Sequence, residues 1–254
     1  MDSLLFALGV AVLAFSAGIL GLNLHSRLPE KHAPEKSREM IGAMTGLLAL
    51  LLALVLGTLV GSAYSLYAMQ KAELEMLSAK ALQLDSALEA FGPETQLGRT
   101  GLRKAMSQSY ERIWGKGTAL DTSELDLKSV VSAGKGLDAF LGSLTPKTDA
   151  QKQALATANA AATQIAQTRI LMDLQLSSGV NWPMLSIVVC WSLLLFCGYG
   201  LVSPLNATVV VSLALGAVAV ASAILLIIEL TQPFEGVLKL SSGPVAETLK
   251  ALGP

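Results

Sequence analysis

The chain has 254 residues, of which 52% are hydrophobic and 15% are charged, and its formal net charge is −1. A charged fraction well below the roughly 25% of soluble domains indicates a membrane protein. No strong electrostatic field points to a polyanionic ligand, so no nucleic acid is expected as a partner. Cys190 and Cys197 lie about 10 Å apart along one apolar helix, which is too far for a disulfide.

Four apolar segments, over residues 4–24, 41–63, 183–202 and 207–230, dominate the chain. Each has about 20 residues, enough for a helix to cross about 30 Å of hydrocarbon. The first follows Met1-Asp2-Ser3 without a preceding Lys or Arg and is too long for a signal peptide, so we expect a retained anchor. The sequence therefore predicts an all-α protein with four transmembrane helices, embedded in a lipid bilayer.

The order of the apolar and polar segments predicts four parts. These are a first transmembrane hairpin (residues 1–64), an extramembrane helical bundle (65–182), a second transmembrane hairpin (183–230) and a short amphipathic tail (231–254). A charged loop with Pro29 and Pro34 connects the first two spans, and a tight turn ending at Asn206, a predicted helix cap, connects the last two. Both termini and the bundle therefore lie on one side of the membrane.

The insert between spans two and three is expected to be helical throughout. No breaker separates it from span two, so one helix should run from about Ile41 to Ala90 and end at Gly92-Pro93. Its apolar positions repeat every 3.5 residues, and Gln70 fills the one gap in that repeat. Further helices are expected over about 95–114, 123–144 and 149–177, and four such helices can close a small core.

The segments flanking the last two spans also carry local signals. Trp182 stands where an interfacial aromatic residue belongs, and Pro183 suits the first turn of a membrane helix. In the tail, Pro233, Gly243 and Pro244 are expected to interrupt helical structure.

Small residues form a stripe at three-to-four spacing along the second span. Its members are Gly42, Gly46, Ala49, Ala53, Gly57 and Gly61. Residues without bulky side chains let two helix backbones approach closely within a membrane. One interpretation is packing against another span of the same chain. The other is that this face lines a symmetric homo-oligomer or a narrow pore.

Glu229 is the one acid at the end of a span, and a carboxylate at membrane depth is costly and often functional. It is therefore a candidate intramembrane polar site, with solvation at the interface as the alternative. The histidines, His25 and His32, sit in a short loop without supporting ligands and are interpreted as solvated. No catalytic, cofactor-binding or metal-ligating constellation is recognisable, so neither an enzyme nor a cofactor is expected.

Short segments spread over nearly the whole chain carry a further signal. They include Leu28-Pro29-Glu30-Lys31-His32, Ala53-Leu54-Val55-Leu56-Gly57, Phe91-Gly92-Pro93-Glu94, Arg112-Ile113-Trp114, Pro204-Leu205-Asn206-Ala207-Thr208 and Gln232-Pro233-Phe234-Glu235-Gly236. Together they resemble a bacterial family termed bestrophin-like. Its name implies kinship to bestrophins, which are pentameric anion channels with four spans, a helical insert between spans two and three, and a pore lined by span two.

The resemblance implies a multi-pass protein of the bacterial inner membrane that forms an oligomeric anion channel, with other copies of itself and small anions as partners. The alternatives are a non-conducting sensor or scaffold whose bundle binds a ligand or partner and, least favoured, a membrane enzyme. The chain departs from the family pattern at Tyr64, Ala68 and Thr231, where charged residues are usual. Any ion path that depends on those charges would differ in this protein.

The orientation in the membrane is predicted in two opposite ways. Arg27, Lys31, Lys36 and Arg38 concentrate positive charge in the first short loop, which favours a cytoplasmic loop and an external bundle. The resemblance to bestrophins implies instead that the bundle and both termini are cytoplasmic.

Overall fold

The computed structural model describes residues 2–27, 35–115, 127–177 and 180–253, and these residues contain helices but no strand. The helices are α1 (Asp2–Arg27), α2 (Glu35–Phe91), α3 (Gln96–Trp114), α4 (Leu127–Ser143), α5 (Asp149–Ser177), α6 (Trp182–Val202), α7 (Ala207–Thr231) and α8 (Gly243–Ala251). Four of them, α1, α2, α6 and α7, are long and apolar enough to cross a membrane. The predicted all-α class with four spans is confirmed.

The chain divides into two compact units. The first, here called the membrane unit, comprises Met1–Tyr67 and Val180–Leu238, and the second, the bundle unit, comprises Ala68–Gly179 and Lys239–Pro254.

In the membrane unit, α1 packs against both α6 and α7. Two glycines set the distance between α1 and α6. A Cβ atom on Gly21 would overlap the carbonyl oxygen of Cys197, and one on Gly200 would overlap that of Gly18. In a membrane, such backbone contact provides the dispersion energy that burial of leucine side chains cannot provide, because lipid tails are equally apolar.

Helix α2 joins the membrane unit through one side only. Leu52 is 4% exposed and belongs to the core that α1, α6 and α7 build, with Leu48 and Leu59 packed partly against it. Thr45 is buried against Gly198, where a Cβ atom would meet the threonine side chain. The remaining sides of α2 in this unit carry exposed residues, including Leu50, Leu54 and Tyr64.

The bundle unit has its own core between α2, α4 and α5. The buried members are Leu84, Ala87, Leu88, Leu141, Ala158, Ala161 and Ala162. Alanines on α5 let this helix lie close to the leucines of α2 and α4. Elsewhere in the unit, the indole Nε1 of Trp114 donates to the carbonyl oxygen of Leu240 at 2.9 Å, next to the contact between α3 and α8.

The turn from α2 into α3 is built around Gly92 and Thr95. Gly92 has a φ of 132°, a value that strongly favours glycine. The fully buried Thr95 hydroxyl lies within hydrogen-bonding distance of the carbonyl oxygens of Leu88 (2.5 Å) and Gly92 (2.7 Å), and the Gln151 amide donates to the last carbonyl of α2, on Phe91, at 2.9 Å. The predicted end of the helix at Gly92-Pro93 is confirmed.

Other local predictions have mixed outcomes. The Asn206 side chain accepts from the amide of Val209 at 2.8 Å, which confirms the predicted cap, and Pro183 lies in the first turn of α6. Helix α2 begins at Glu35 rather than near Ile41. The tail prediction was wrong at Gly243-Pro244, because these residues begin α8 instead of interrupting a helix, with proline in the first turn where its missing N–H is harmless.

The predicted surroundings of His25 also need correction. His25 lies in the last turn of α1, and its ring Nδ1 is 2.7 Å from the carbonyl oxygen of Leu201 on α6. It is therefore a half-buried packing residue and not a solvated loop side chain. His32 and the predicted start of a helix near Ser123 lie outside the described residues.

A bidentate ion pair joins α3 to α2 in the bundle unit. The Nε and Nη2 atoms of Arg99 each lie 2.8 Å from a carboxylate oxygen of Asp85, which is 8% exposed. The hydrogen bonding to Asp85 raises the pKa of Arg99 above its ordinary value.

We expect Arg99→Met to lower the free energy of unfolding by about 1–3 kcal/mol, because it leaves the Asp85 carboxylate buried without its partner. Thermal unfolding in detergent would measure the loss. Lys152→Met is the control, since the Lys152–Asp149 pair is largely exposed and should contribute little. Equal effects of the two substitutions would contradict the expected difference.

Candidate functional site

The small-residue stripe of α2 lies mostly on the uncovered side of that helix. Ala53, Gly57 and Gly61 are exposed, while Gly42, Gly46 and Ala49 are half-buried. Apart from the neighbouring backbone of α2 itself, no heavy atom of the described residues lies within 4 Å of a Cβ atom placed on any of the four glycines. The contacts that close approach would provide are therefore made elsewhere in the chain, at Gly21 and Gly200, and not along this face.

The hydroxyl groups of the same helix turn back onto their own backbone. Thr58 donates to the carbonyl oxygen of Val55 at 2.9 Å, and Ser62 donates to that of Leu59 at 3.0 Å. Both side chains are exposed, so they present oxygen atoms whose protons are already engaged. Residues 40–70 contain no charged side chain. The face is consequently uncharged and only weakly polar.

A groove of about 540 Å³ runs beside this face, between α2, α6 and α7. Ala49 and Ala53 of the stripe form part of its wall. Its polar lining residues, Ser203, Thr208, Ser212 and Tyr199, lie on α6, on α7 and in the turn between them, and the rest of the lining is aliphatic or Phe196. The lining contains no acid–base pair or nucleophile with a base, and the groove thus has the character of a hydrophobic contact surface.

Glu229 is enclosed by groups of the membrane unit itself. It is 4% exposed and accepts hydrogen bonds from the Ser3 hydroxyl (2.5 Å) and from the amides of Val237 (2.5 Å) and Leu238 (3.1 Å). Ser3 lies in the first turn of α1, where a negative charge is favoured by the helix dipole. The carboxylate thus ties the start of α1 and the segment after α7 to the end of α7.

Gly236 makes this arrangement possible. Its φ of 74° lies in the left-handed region, and a Cβ atom there would overlap the Glu229 carboxylate. The sequence identified Glu229 as the unusual acid but gave no indication of its partners. All the observed hydrogen bonds to the Glu229 carboxylate come from groups of this chain. The geometry therefore supports a structural role, here called the clasp, in which Glu229 holds the start of α1 and the segment after α7.

Two polar features of the bundle unit were not identified as sites from the sequence. Arg169 is half-buried on α5, where burial and the charge of Arg112 lower its pKa, and its Nη2 lies 3.4 Å from the Ser109 hydroxyl. Gln70 is completely buried in a hydrogen-bonded cluster. Its position as the polar gap in an apolar repeat was the available signal.

Catalytic and metal chemistry have little support in the described parts of the chain. Within them, no three His, Cys, Asp or Glu side chains are grouped closely enough to hold a metal ion. Cys190 is exposed and Cys197 is half-buried on α6, and neither forms a disulfide.

We expect Glu229→Leu to lower the free energy of unfolding by about 1–3 kcal/mol, because two backbone amides and the Ser3 hydroxyl lose their acceptor. Glu229→Gln should cost less, since its amide oxygen can still accept. Hydrogen exchange should accelerate at Val237 and Leu238 in the leucine variant. Glu235→Gln is the control, and unchanged exchange in Glu229→Leu would contradict the clasp.

Comparison with known proteins is consistent with this architecture. The model of the Bestrophin-like domain family matches residues 10–245. A solved structure of a mutant bacterial bestrophin homologue from Klebsiella pneumoniae matches with a TM-score of 0.66 at 14% sequence identity, over 97% of each chain. No curated protein matches the sequence. An identity this low shows a shared fold, while the family match spans most of the sequence, and the chain therefore belongs to the Bestrophin-like domain family.

Proposed function

We propose that the protein forms a closed homo-oligomeric ring in the bacterial inner membrane and that α2 of each copy lines a central pore for small anions. The observation that carries the proposal is the uncovered face of α2. In its most apolar window only 11% of the residues are buried, against 28% for α1 and 33% for α6 and α7. The face is also the one with the stripe of small residues.

Lipid alone does not explain this face. A span that meets only lipid has no need for Gly42, Gly46, Gly57 and Gly61, since glycine weakens a helix and leucine is equally soluble in hydrocarbon. Glycines are useful where another helix or a narrow lumen approaches the backbone. The membership in the Bestrophin-like family, and the fold shared with a bacterial bestrophin homologue, support a ring arranged around this helix.

The proposed pore would have a neutral wall. Residues 40–70 contain no charged group, and Tyr64 stands where the resemblance leads one to expect a charge. Selectivity would then depend on how easily an ion loses its water in a narrow apolar constriction. Anions that dehydrate easily, such as thiocyanate and iodide, should pass better than chloride, and a fixed positive charge would not be required in α2.

Substitutions in the small-residue stripe test the assembly of the ring. Gly57→Leu and Gly61→Leu should each prevent ring formation, because the α2 helices of the copies must approach closely around a narrow lumen and a leucine would hold them apart. Native mass spectrometry of the protein in nanodiscs would measure the protomer count. Gly9→Leu on α1 is the matched control, because Gly9 also has open space around its Cβ position but lies outside α2. Native oligomers in the Gly57→Leu and Gly61→Leu variants would contradict the role of this face.

Reporter fusions test the orientation of the protein in the membrane. We propose that the bundle unit and both termini are cytoplasmic, as the family membership suggests, despite the basic loop at residues 27–38. Reporter domains fused to the C terminus should be active only if they function in the cytoplasm. Activity of an exported reporter there would reverse the proposed orientation and support the charge-based prediction.

A further inference from the structure

A cluster of three polar side chains lies between α2 and α5 in the bundle unit. The Gln70 amide nitrogen donates to the Gln175 side-chain oxygen at 2.5 Å, and the Gln175 amide nitrogen donates to Glu73 Oε1 at 3.1 Å. Gln70 is 0% exposed. A buried chain of this kind is stable only when every polar atom in it has a partner.

Two oxygen atoms of the cluster have no partner among the described residues. Gln70 Oε1 and Glu73 Oε2 are both shielded from solvent and accept no hydrogen bond. Each buried acceptor without a partner has lost its hydrogen bonds to water without replacement, which destabilises the folded state. Both atoms belong to residues one helical turn apart on α2, whose other polar atoms bond to the same Gln175 amide, so the two oxygens belong to one polar cluster.

Turning over the side-chain amides of Gln70 and Gln175 does not give every polar atom of the cluster a partner. If the Gln70 amide were turned over, its oxygen would face the Gln175 oxygen. If both amides were turned over, the Gln175 oxygen would face the Glu73 carboxylate, and two acceptors would repel each other. The carboxylate therefore fixes the direction of the whole chain of hydrogen bonds, and Gln70 Oε1 and Glu73 Oε2 remain without donors among the described residues.

Glu73 also has no oppositely charged partner among the described residues. The ion pairs of the described residues involve Asp85, Glu89 and Asp149, and Glu73 takes part in none of them. Carboxylate and amide oxygens without accompanying donors are the ligands that hard cations prefer.

We propose that Gln70 Oε1 and Glu73 Oε2 bind one monovalent alkali cation, Na⁺ or K⁺. One positive charge neutralises the single carboxylate, whereas a divalent ion would leave a net charge that the amide oxygens cannot cancel. A water molecule would satisfy the two acceptors but would leave the carboxylate charge unbalanced. The bound ion would link two side chains of α2 beside Gln175 of α5, and this site does not depend on the proposed pore.

The test is a thermal unfolding titration of the full-length protein in detergent. At constant ionic strength, NaCl or KCl would replace N-methyl-D-glucamine chloride. The wild-type melting temperature should rise and saturate, because an ion that binds only the folded state stabilises it according to its occupancy. Glu73→Gln should lose this response. Glu75→Gln, at an exposed position two residues further along α2, should retain it.

A second readout separates an ion site from a merely structural role. Without alkali cations, Glu73→Gln should melt at or above the wild-type temperature, because the new amide removes the unpaired charge and supplies a donor. A structural role for the carboxylate predicts a lower temperature instead. If Glu73→Gln fails to fold, anomalous scattering from Tl⁺ soaked into wild-type crystals replaces it, with a peak expected between Gln70 and Glu73.

Three results would overturn the proposal. Identical salt responses of wild type and Glu73→Gln would indicate a buried water. Stabilisation by Mg²⁺ or Ca²⁺ but by neither alkali cation would exclude a monovalent site. Density for a basic side chain from a second copy at the two oxygens would show that the partner is protein.

Discussion

Helices that cross a membrane gain no hydrophobic free energy when their leucine side chains meet. This constraint determines how the structure is held together. Association must instead come from backbone proximity and from polar groups, because lipid already solvates the aliphatic side chains. Both devices are visible in the membrane unit. Gly21 and Gly200 bring α1 and α6 into backbone contact, and the Glu229 carboxylate joins the ends of α1 and α7. Helix α2 is attached by Leu52 and Thr45 and leaves Gly57 and Gly61 exposed.

This distribution gives the two groups of glycines different meanings. Those on α1 and α6 are used within one chain, so their replacement should affect the fold. Those on α2 have open space in the single chain, so their replacement should affect contacts between copies or the width of a lumen. The same residue type at similar spacing thus serves two purposes, and only the three-dimensional arrangement separates them.

The sequence predicted those parts of the structure that depend on local patterns. Span lengths, the end of α2 at Gly92 and the Asn206 cap follow from hydropathy, backbone geometry and side-chain chemistry within a few neighbouring residues. The role of Gly236, the hydrogen bonds of Glu229 and the contact of His25 with Leu201 were not predictable, because each depends on residues distant in the chain. The beginning of α8 was misread because a glycine followed by a proline occurs both where helices break and where they start.

The buried cluster at Gln70 also shows what a sequence pattern leaves unpredicted. A polar residue inside an apolar repeat was visible in the sequence. The unpaired oxygen of Gln70 and the place of Glu73 in the same cluster were not. A repeat identifies the position that will be buried, and it contains no information about which groups will share that position. For the stripe of α2, likewise, spacing indicates a contact without naming the partner.

The central claim is that the small-residue face of α2 lines a pore. The most direct test is whether a thiol-reactive reagent blocks single-channel current in planar bilayers after a cysteine is placed on that face. Cys190 and Cys197 would first be replaced by alanine, and cysteine would then be introduced at Ala53 or, on the other side of α2, at Leu51. If α2 lines the pore with its small-residue face, a charged thiol reagent should block Ala53→Cys and leave Leu51→Cys conducting. Block only at Leu51→Cys, or no current from intact oligomers, would contradict the account.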